Sequence, residues 1–241
     1  MRTIFPVVFL LFFCHLSKAQ AWLELGPKVS YGLTGYYNSS VASDDRVEYQ
    51  LQAAIAYGGT VGINFDDFGG FNLEALLTQN EQTVNFLDIV GTRVDNNLSW
   101  ETLDLLLLYR FYSDKGGYFE LGPKMSIIQG LEQSIGSIQQ SDIEETYNEN
   151  YFSGAVGFGG FIAGSKAFTL KLGIRVEYAF TDLVSDNGKD LGFPAPITSF
   201  INDSNTSTYY ASVGLELSFG IGGIAKSVCG RRVFLLGSPY R

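Results

Sequence analysis

Between Phe168 and Phe180 every second residue is apolar. Phe168, Leu170, Leu172, Ile174, Val176, Tyr178 and Phe180 face one way, and Thr169, Lys171, Arg175 and Glu177 fall between them. Period two is the pattern of a β-strand with one oily and one wet face. The same alternation predicts seven more strands. Trp22–Tyr37 sets Leu23, Leu25, Val29, Tyr31 and Leu33 against Glu24, Lys28, Ser30 and Thr34. Gln50–Phe65 sets Ile55, Tyr57, Val61 and Ile63 against Gln52, Ala54, Thr60 and Asn64. Phe71–Thr78 carries Glu74 on its polar face, and Leu98–Tyr112 carries Asp104 and Arg110 opposite a run of leucines. Tyr118–Leu131, Tyr151–Ala163 and Ser207–Phe219 complete the set. In Tyr151–Ala163 the apolar face is read as Phe152, Val156, Phe158 and Ile162; Ser207–Phe219 places Glu216 on its polar face.

One phrase occurs twice. Leu23-Glu24-Leu25-Gly26-Pro27-Lys28-Val29-Ser30 matches Phe119-Glu120-Leu121-Gly122-Pro123-Lys124-Met125-Ser126, a strand motif repeated about half a chain apart, which predicts two similar halves.

Connection lengths decide the architecture. Three are tight, near 66–70, 113–117 and 164–167, and four are long and polar, near 38–49, 79–97, 132–150 and 182–206. Short turns on one side and long loops on the other are the layout of an outer-membrane barrel. The expectation is all-β: an eight-stranded antiparallel up-and-down transmembrane β-barrel with short periplasmic turns and long extracellular loops.

A barrel could also be soluble, with its apolar face inside around a lipid or other apolar ligand. The polar face speaks against that. A soluble barrel shows water a surface rich in Lys and Glu, whereas Gly26, Ser30, Gly58, Thr60, Gly122, Ser126, Ser153 and Gly157 suit a cramped interior. Tyr37, Phe65, Tyr109, Phe111, Phe168, Phe180, Tyr209 and Phe219 near strand ends suit interfacial girdles.

With the apolar face outward, Glu24, Glu74, Asp104, Glu120, Glu177 and Glu216 point into the lumen with Lys28, Arg110, Lys124, Lys171 and Arg175. Charges in a narrow interior must be paired or solvated. A salt-bridged plug that fixes strand register is the preferred reading, because eight strands leave an interior that side chains just fill. A narrow ion or small-solute channel is the alternative.

The ends carry different information. Arg2, the apolar run Ile4–Phe13 and Ala19-Gln20-Ala21 read as a signal peptide over 1–21. The barrel domain is then 22–220, and 221–241 is a tail. The formal charge of −9 becomes about −11 once Arg2 and Lys18 leave, which argues against nucleic acid as a partner. The only histidine, His15, leaves with the signal, so Ser-His and Cys-His catalysis and histidine metal sites have no residue to use. No catalytic, cofactor-binding or metal-binding residues are assigned. Asp44, Asp45, Asp142, Glu144, Glu145, Glu149, Asp186, Asp190 and Asp203 read as solvated loop acids without calcium-loop spacing. Tyr147, Asn148, Tyr151, Phe193, Phe200, Asn202 and Asn205 are candidates for partner contact.

The strand starts Leu25-Gly26-Pro27-Lys28 and Glu120-Leu121-Gly122-Pro123-Lys124, with a last strand ending in Phe219, resemble the small outer-membrane β-barrels of Bacteroidetes. The PorT-like proteins belong to that group. The resemblance covers roughly 22–220. It implies a non-enzymatic barrel in the outer membrane, in contact with outer-membrane lipid, with a scaffolding, surface-recognition or secretion-accessory role and no cofactor. A protein partner would meet the long loops or the 221–241 tail. The chain departs from the group after Phe219, where such barrels usually stop.

Overall fold

The computed structural model describes residues 21–65, 69–87, 91–141, 143–164, 168–196 and 204–221. The expected signal peptide and the tail beyond Ile221 lie outside them, as do Asp142, Phe200, Asn202 and Asp203. The described residues form ten strands: β1 Ala21–Asn38, β2 Val47–Gln50, β3 Gln52–Phe65, β4 Gly69–Leu87, β5 Arg93–Tyr112, β6 Gly117–Ile135, β7 Ile138–Gln139, β8 Asn150–Gly164, β9 Phe168–Ala179 and β10 Thr206–Ile221. Short helical turns α1, Ser39–Ala42, and α2, Asp186–Asp190, lie in the loops, with a 3-10 turn at Glu144–Thr146.

Eight of the strands close a ring. Each of β1, β3, β4, β5, β6, β8, β9 and β10 pairs antiparallel with the next, and β10 pairs with β1. The outward residues Leu23, Ile63, Phe71, Tyr109, Leu121, Val156, Val176 and Ala211 are successive partners around the ring, and Ala211 returns to β1 at Leu33 rather than Leu23. A stagger of that size tilts eight strands by about 40°. The apolar stripe on β10 from Tyr209 to Phe219 then spans about 25 Å along the barrel axis, the height of an outer-membrane barrel's lipid-facing band.

Side-chain alternation follows. Val176, Leu73 and Phe158 are more than half exposed, while their strand neighbours Arg175, Glu74 and Gly157 are buried. The oily face is outside, so the alternative of a soluble barrel with an apolar interior does not hold. At the short-turn end, rings from four adjacent strands touch in sequence: Phe65–Phe71 at 6.2 Å, Phe71–Tyr109 at 5.1 Å, Tyr109–Phe111 at 4.5 Å and Phe111–Phe119 at 6.2 Å. This is one arc of an interfacial girdle.

Two boundaries differ from expectation. The third strand does not stop at Thr78, and 79–97 is not a loop. β4 runs on to Leu87 and β5 starts at Arg93, paired from Gln79↔Glu101 to Leu87↔Arg93. Gln79, Asn80, Glu81 and Gln82 are polar on both faces because the hairpin has left the lipid; backbone pairing carries the strand on, and Val84 and Phe86 beyond them are buried. In β8 a register shift between Phe161 and Ala163 breaks the alternation. Phe161 is buried and stacks on Tyr112 at 5.9 Å, and Ile162 does not continue the outward face set by Phe158.

Candidate functional site

The repeated motif sits on opposite walls, since β1 and β6 are four places apart in the eight-strand ring. Its glycine and proline act alike in both copies. A Cβ on Gly26 would lie 1.7 Å from the Leu217 carbonyl oxygen, and one on Gly122 would lie 2.0 Å from that of Leu107. No side chain fits there. The following prolines, Pro27 and Pro123, have no N–H to give the ladder. Pairing accordingly skips between Leu25 and Lys28 against β10, and between Leu121 and Lys124 against β5. Each motif aims one Glu and one Lys into the lumen.

All eleven charged residues expected in the lumen are there, each buried. They form one connected network. Lys28 Nζ donates to Glu74 at 2.7 Å, and Lys124 Nζ to Glu177 at 2.6 Å. In each case the acceptor lies two strands further around, so these pairs correspond under the two-fold relation of the motifs. Lys171 bridges Glu24 at 2.9 Å and Glu216 at 2.8 Å. Lys124 also meets Asp104 at 2.8 Å.

Both arginines cross the lumen. Arg110 on β5 reaches Glu216 on the opposite strand β10 through two bonds, at 3.0 and 2.6 Å, and holds Glu120 at 2.7 Å. Arg175 on β9 reaches Glu74 on the opposite strand β4 at 2.7 and 2.9 Å, and also bonds Glu120. The planar fork of a guanidinium suits such bidentate contacts. Tyr118 caps Arg110 with its ring centre 5.0 Å from the guanidinium carbon.

Buried ion pairs roughly offset their own desolvation, so the network's main physical effect is specificity. Slipping one strand by one residue would turn its charges out into lipid and its leucines into the network. As an ion path the arrangement is poor, because two crossing side chains occupy the middle of an already narrow lumen.

The long loops fold inward over the other end. Asn38 caps α1 by accepting from Ser40 N at 3.0 Å and Val41 N at 3.1 Å, and this turn buries Val41. The connection from β9 to β10 buries Leu183, Val184, Phe193 and Ala195. Its Pro194 carbonyl accepts from Asn96 at 2.7 Å on β5 and from Gln133 at 2.9 Å on β6, so this segment straps the mouth from wall to wall. Tyr36, Val84, Leu98, Trp100, Tyr147 and Tyr151 pack with it into one apolar cluster. Asp182 and Lys189, 2.6 Å apart, fasten the base of the strap.

This cap corrects the expectation for the loops. Tyr147, Tyr151 and Phe193 are core residues and are not available to a partner. Asn148 is spent on the Asp182 and Val184 carbonyls at 3.0 and 3.1 Å. Asn205 remains exposed. The cap core gives no single periodic signal because its residues come from different strand ends and loops: Tyr36, Val84, Leu98, Trp100 and Tyr151 lie on strands, and Val41, Tyr147, Leu183 and Phe193 in the connections. Asp44 pairs with Arg46 at 2.6 Å, which holds its carboxyl down at about 2.

A closed antiparallel ring, apolar outside, ion-paired inside and looped at one end, is a transmembrane β-barrel. The family model of the outer membrane protein beta-barrel domain matches residues 6–219. The chain belongs to that family and resides in the outer membrane, which makes its strapped end the extracellular one. Among solved structures it is similar to the outer membrane protein OprG from Pseudomonas aeruginosa, with 12% identity over 84% of this chain and 96% of that one and a TM-score of 0.37. Neisserial surface protein A gives 12% identity, 83% and 96% coverage and a TM-score of 0.38. The attachment invasion locus protein Ail of Yersinia pestis gives 10% identity, 81% and 98% coverage and a TM-score of 0.38. No curated protein matches the chain.

Proposed function

We propose that this chain is a non-enzymatic outer-membrane barrel with a closed lumen, working through its extracellular cap as a scaffold for surface recognition. One observation carries the reading: the loops are built into a folded cap with its own apolar core, strapped across the mouth. A cap with buried aromatics and side-chain-to-backbone clamps presents a fixed surface, and binding functions concentrate where loops are held on a rigid scaffold. The segments at that end, 38–50, 79–101, 128–150 and 180–206, hold sixteen acidic and three basic residues. A partner meeting this surface would present basic groups. Arg110–Glu216 and Arg175–Glu74 across the lumen support the plug over the channel.

The test combines conductance with surface labelling. Protein in planar bilayers is expected to give no unit conductance, and Glu120→Gln should leave the bilayer silent while lowering stability. A cysteine at the exposed Leu191 should react with a membrane-impermeant maleimide on intact cells. Discrete steps in the wild type that Glu120→Gln alters would replace the scaffold with a narrow channel. The finer role, accessory to a secretion or assembly complex, rests on the PorT-like resemblance, and its partner would meet the cap or the 221–241 tail. A deletion strain that still exports its full cargo removes that role and leaves surface recognition standing.

A further inference from the structure

Lys124 and Asp104 stand on neighbouring strands in a geometry that suits more than an ion pair. Asp104 on β5 pairs with Ser126 on β6, and Lys124 lies two residues from Ser126 on the same inward face, diagonally across from Asp104. Lys124 Nζ is 2.8 Å from Asp104 Oδ2 and 2.6 Å from Glu177 Oε2 on β9. The Thr78 hydroxyl on β4 donates to the same Asp104 Oδ2 at 2.6 Å. Among the lumen carboxylates of the described residues, Asp104 Oδ1 is the one oxygen that is buried without a hydrogen-bond partner. Asp104, Lys124, Glu177 and Thr78 are each at least nine-tenths buried. An amine, a carboxyl group and a second carboxylate to move protons between them are the parts that amide formation needs.

The surroundings favour condensation. In water an ammonium and a carboxylate stay separate because hydration stabilises both ions. Buried, they lose that hydration, and a neutral amide does not need it. Groups held in contact also react as though one were present at about 10⁵–10⁸ M. Beside Lys124 and Glu177 lies a cavity with room for about one water molecule, lined also by the polar side chains of Asn80, Ser153 and Thr208, so the water that condensation releases has a place to go.

We propose that Lys124 and Asp104 join in an intramolecular isopeptide bond, with Glu177 relaying the protons. Glu177 takes one proton from the Lys124 ammonium. The freed nitrogen lone pair attacks Asp104 Cγ and forms the C–N bond. Oδ2, held by Thr78, becomes the amide carbonyl oxygen. The Cγ–Oδ1 bond breaks, and Oδ1 leaves as water with the proton from Glu177 and a second from the nitrogen. Two ammonium protons thus end on water and one on the amide; nothing is oxidised or reduced, and Glu177 returns to the carboxylate. The bond ties β5 to β6 below the cap. It is independent of what the cap recognises, so failure of the surface-recognition reading leaves it untouched.

The experiment digests the full-length barrel with trypsin after it has folded in the outer membrane and been denatured. From residue 93 to residue 166, lysine or arginine stands only at 93, 110, 115, 124 and 166. Mass spectrometry should find 94–110 joined to 116–166, one water lighter than the two peptides together, with no cleavage after Lys124. Chain that has never folded, kept in urea from inclusion bodies, should give 94–110 and 116–124 as separate peptides, and refolding should convert them to the joined form. Glu177→Gln should slow that conversion about 100-fold or more. Separate peptides from the membrane-folded barrel overturn the bond, and a joined peptide from the never-folded chain overturns its origin in this geometry. Conversion of Glu177→Gln at the wild-type rate overturns the proton relay. Should that variant fail to fold, the two wild-type digests decide alone.

Discussion

Replacing Arg110 with methionine tests whether the lumen network holds the barrel together. Methionine keeps much of the side-chain volume and removes the charge, so cavity formation contributes little. The guanidinium is 1% exposed and faces three carboxylates: Glu216 at 2.6 Å, Glu120 at 2.7 Å and Glu74 at 3.2 Å. Arg175 still serves Glu74 and Glu120, but Glu216 is left with Lys171 and the Ser218 hydroxyl. Deleting one partner of a buried pair costs about 3–5 kcal/mol. At about 2–4 °C per kcal/mol for a domain of this size, the unfolding midpoint should fall by about 6–20 °C. Semi-native gel mobility against temperature measures it. Two controls fix the interpretation. Arg93→Met breaks a pair in which both side chains are more than 60% exposed, and should cost less than about 1 kcal/mol. The double variant Arg110→Met with Glu216→Gln should be about 1–3 kcal/mol more stable than the sum of its single variants, because the orphaned carboxylate is gone. A midpoint for Arg110→Met within about 2 °C of wild type, or strict additivity in the double variant, would show that the network does not hold the barrel together.

Other expectations follow from the same geometry. Gly26→Ala and Gly122→Ala should each strongly reduce the folded, heat-shiftable band, since both place a methyl group inside a neighbouring strand's carbonyl, while Gly59→Ala, whose nearest atom would be 3.8 Å away, should fold normally. Ile174→Arg, on the lipid face of β9, should cost about 2–4 kcal/mol in urea unfolding, and Gln79→Arg, where β4 leaves the lipid, about 0–1. Carbon-detected NMR titration of Asp44 should give a midpoint near 2, and Arg46→Gln should return it towards 3.8. The sign follows from linkage: the carboxyl is lowered in the folded state, so its small contribution is present above the ordinary carboxylate range and is lost as pH falls towards 2.

How much of this was legible depended on whether lipid was the neighbour. Phe168–Thr181 was readable almost to the residue, because a strand with lipid on one side and a charged lumen on the other must alternate strictly, and β9 spans Phe168–Ala179. All eleven lumen charges were readable for the same reason. Beyond the lipid the constraint lapses. Gln79, Asn80, Glu81 and Gln82 are polar on both faces, so the outer half of the β4–β5 hairpin reads as loop although it is fully paired. Ile162 misreads because one extra residue at the bulge shifts the period.

The sequence by itself determined the ring of strands, its inside and outside, and which charges enter the lumen, since each of these is a local consequence of period two in a two-solvent environment. Partners were a different matter. That Arg110 meets Glu216 and Arg175 meets Glu74 depends on the stagger that sets opposite walls at matching heights, a property of the closed ring and of no single strand. The cap depends still more on tertiary structure. Val41, Tyr147 and Leu183 come from three separate loops with no shared period, and only the closed barrel brings those loops to one mouth where burying them together is favourable.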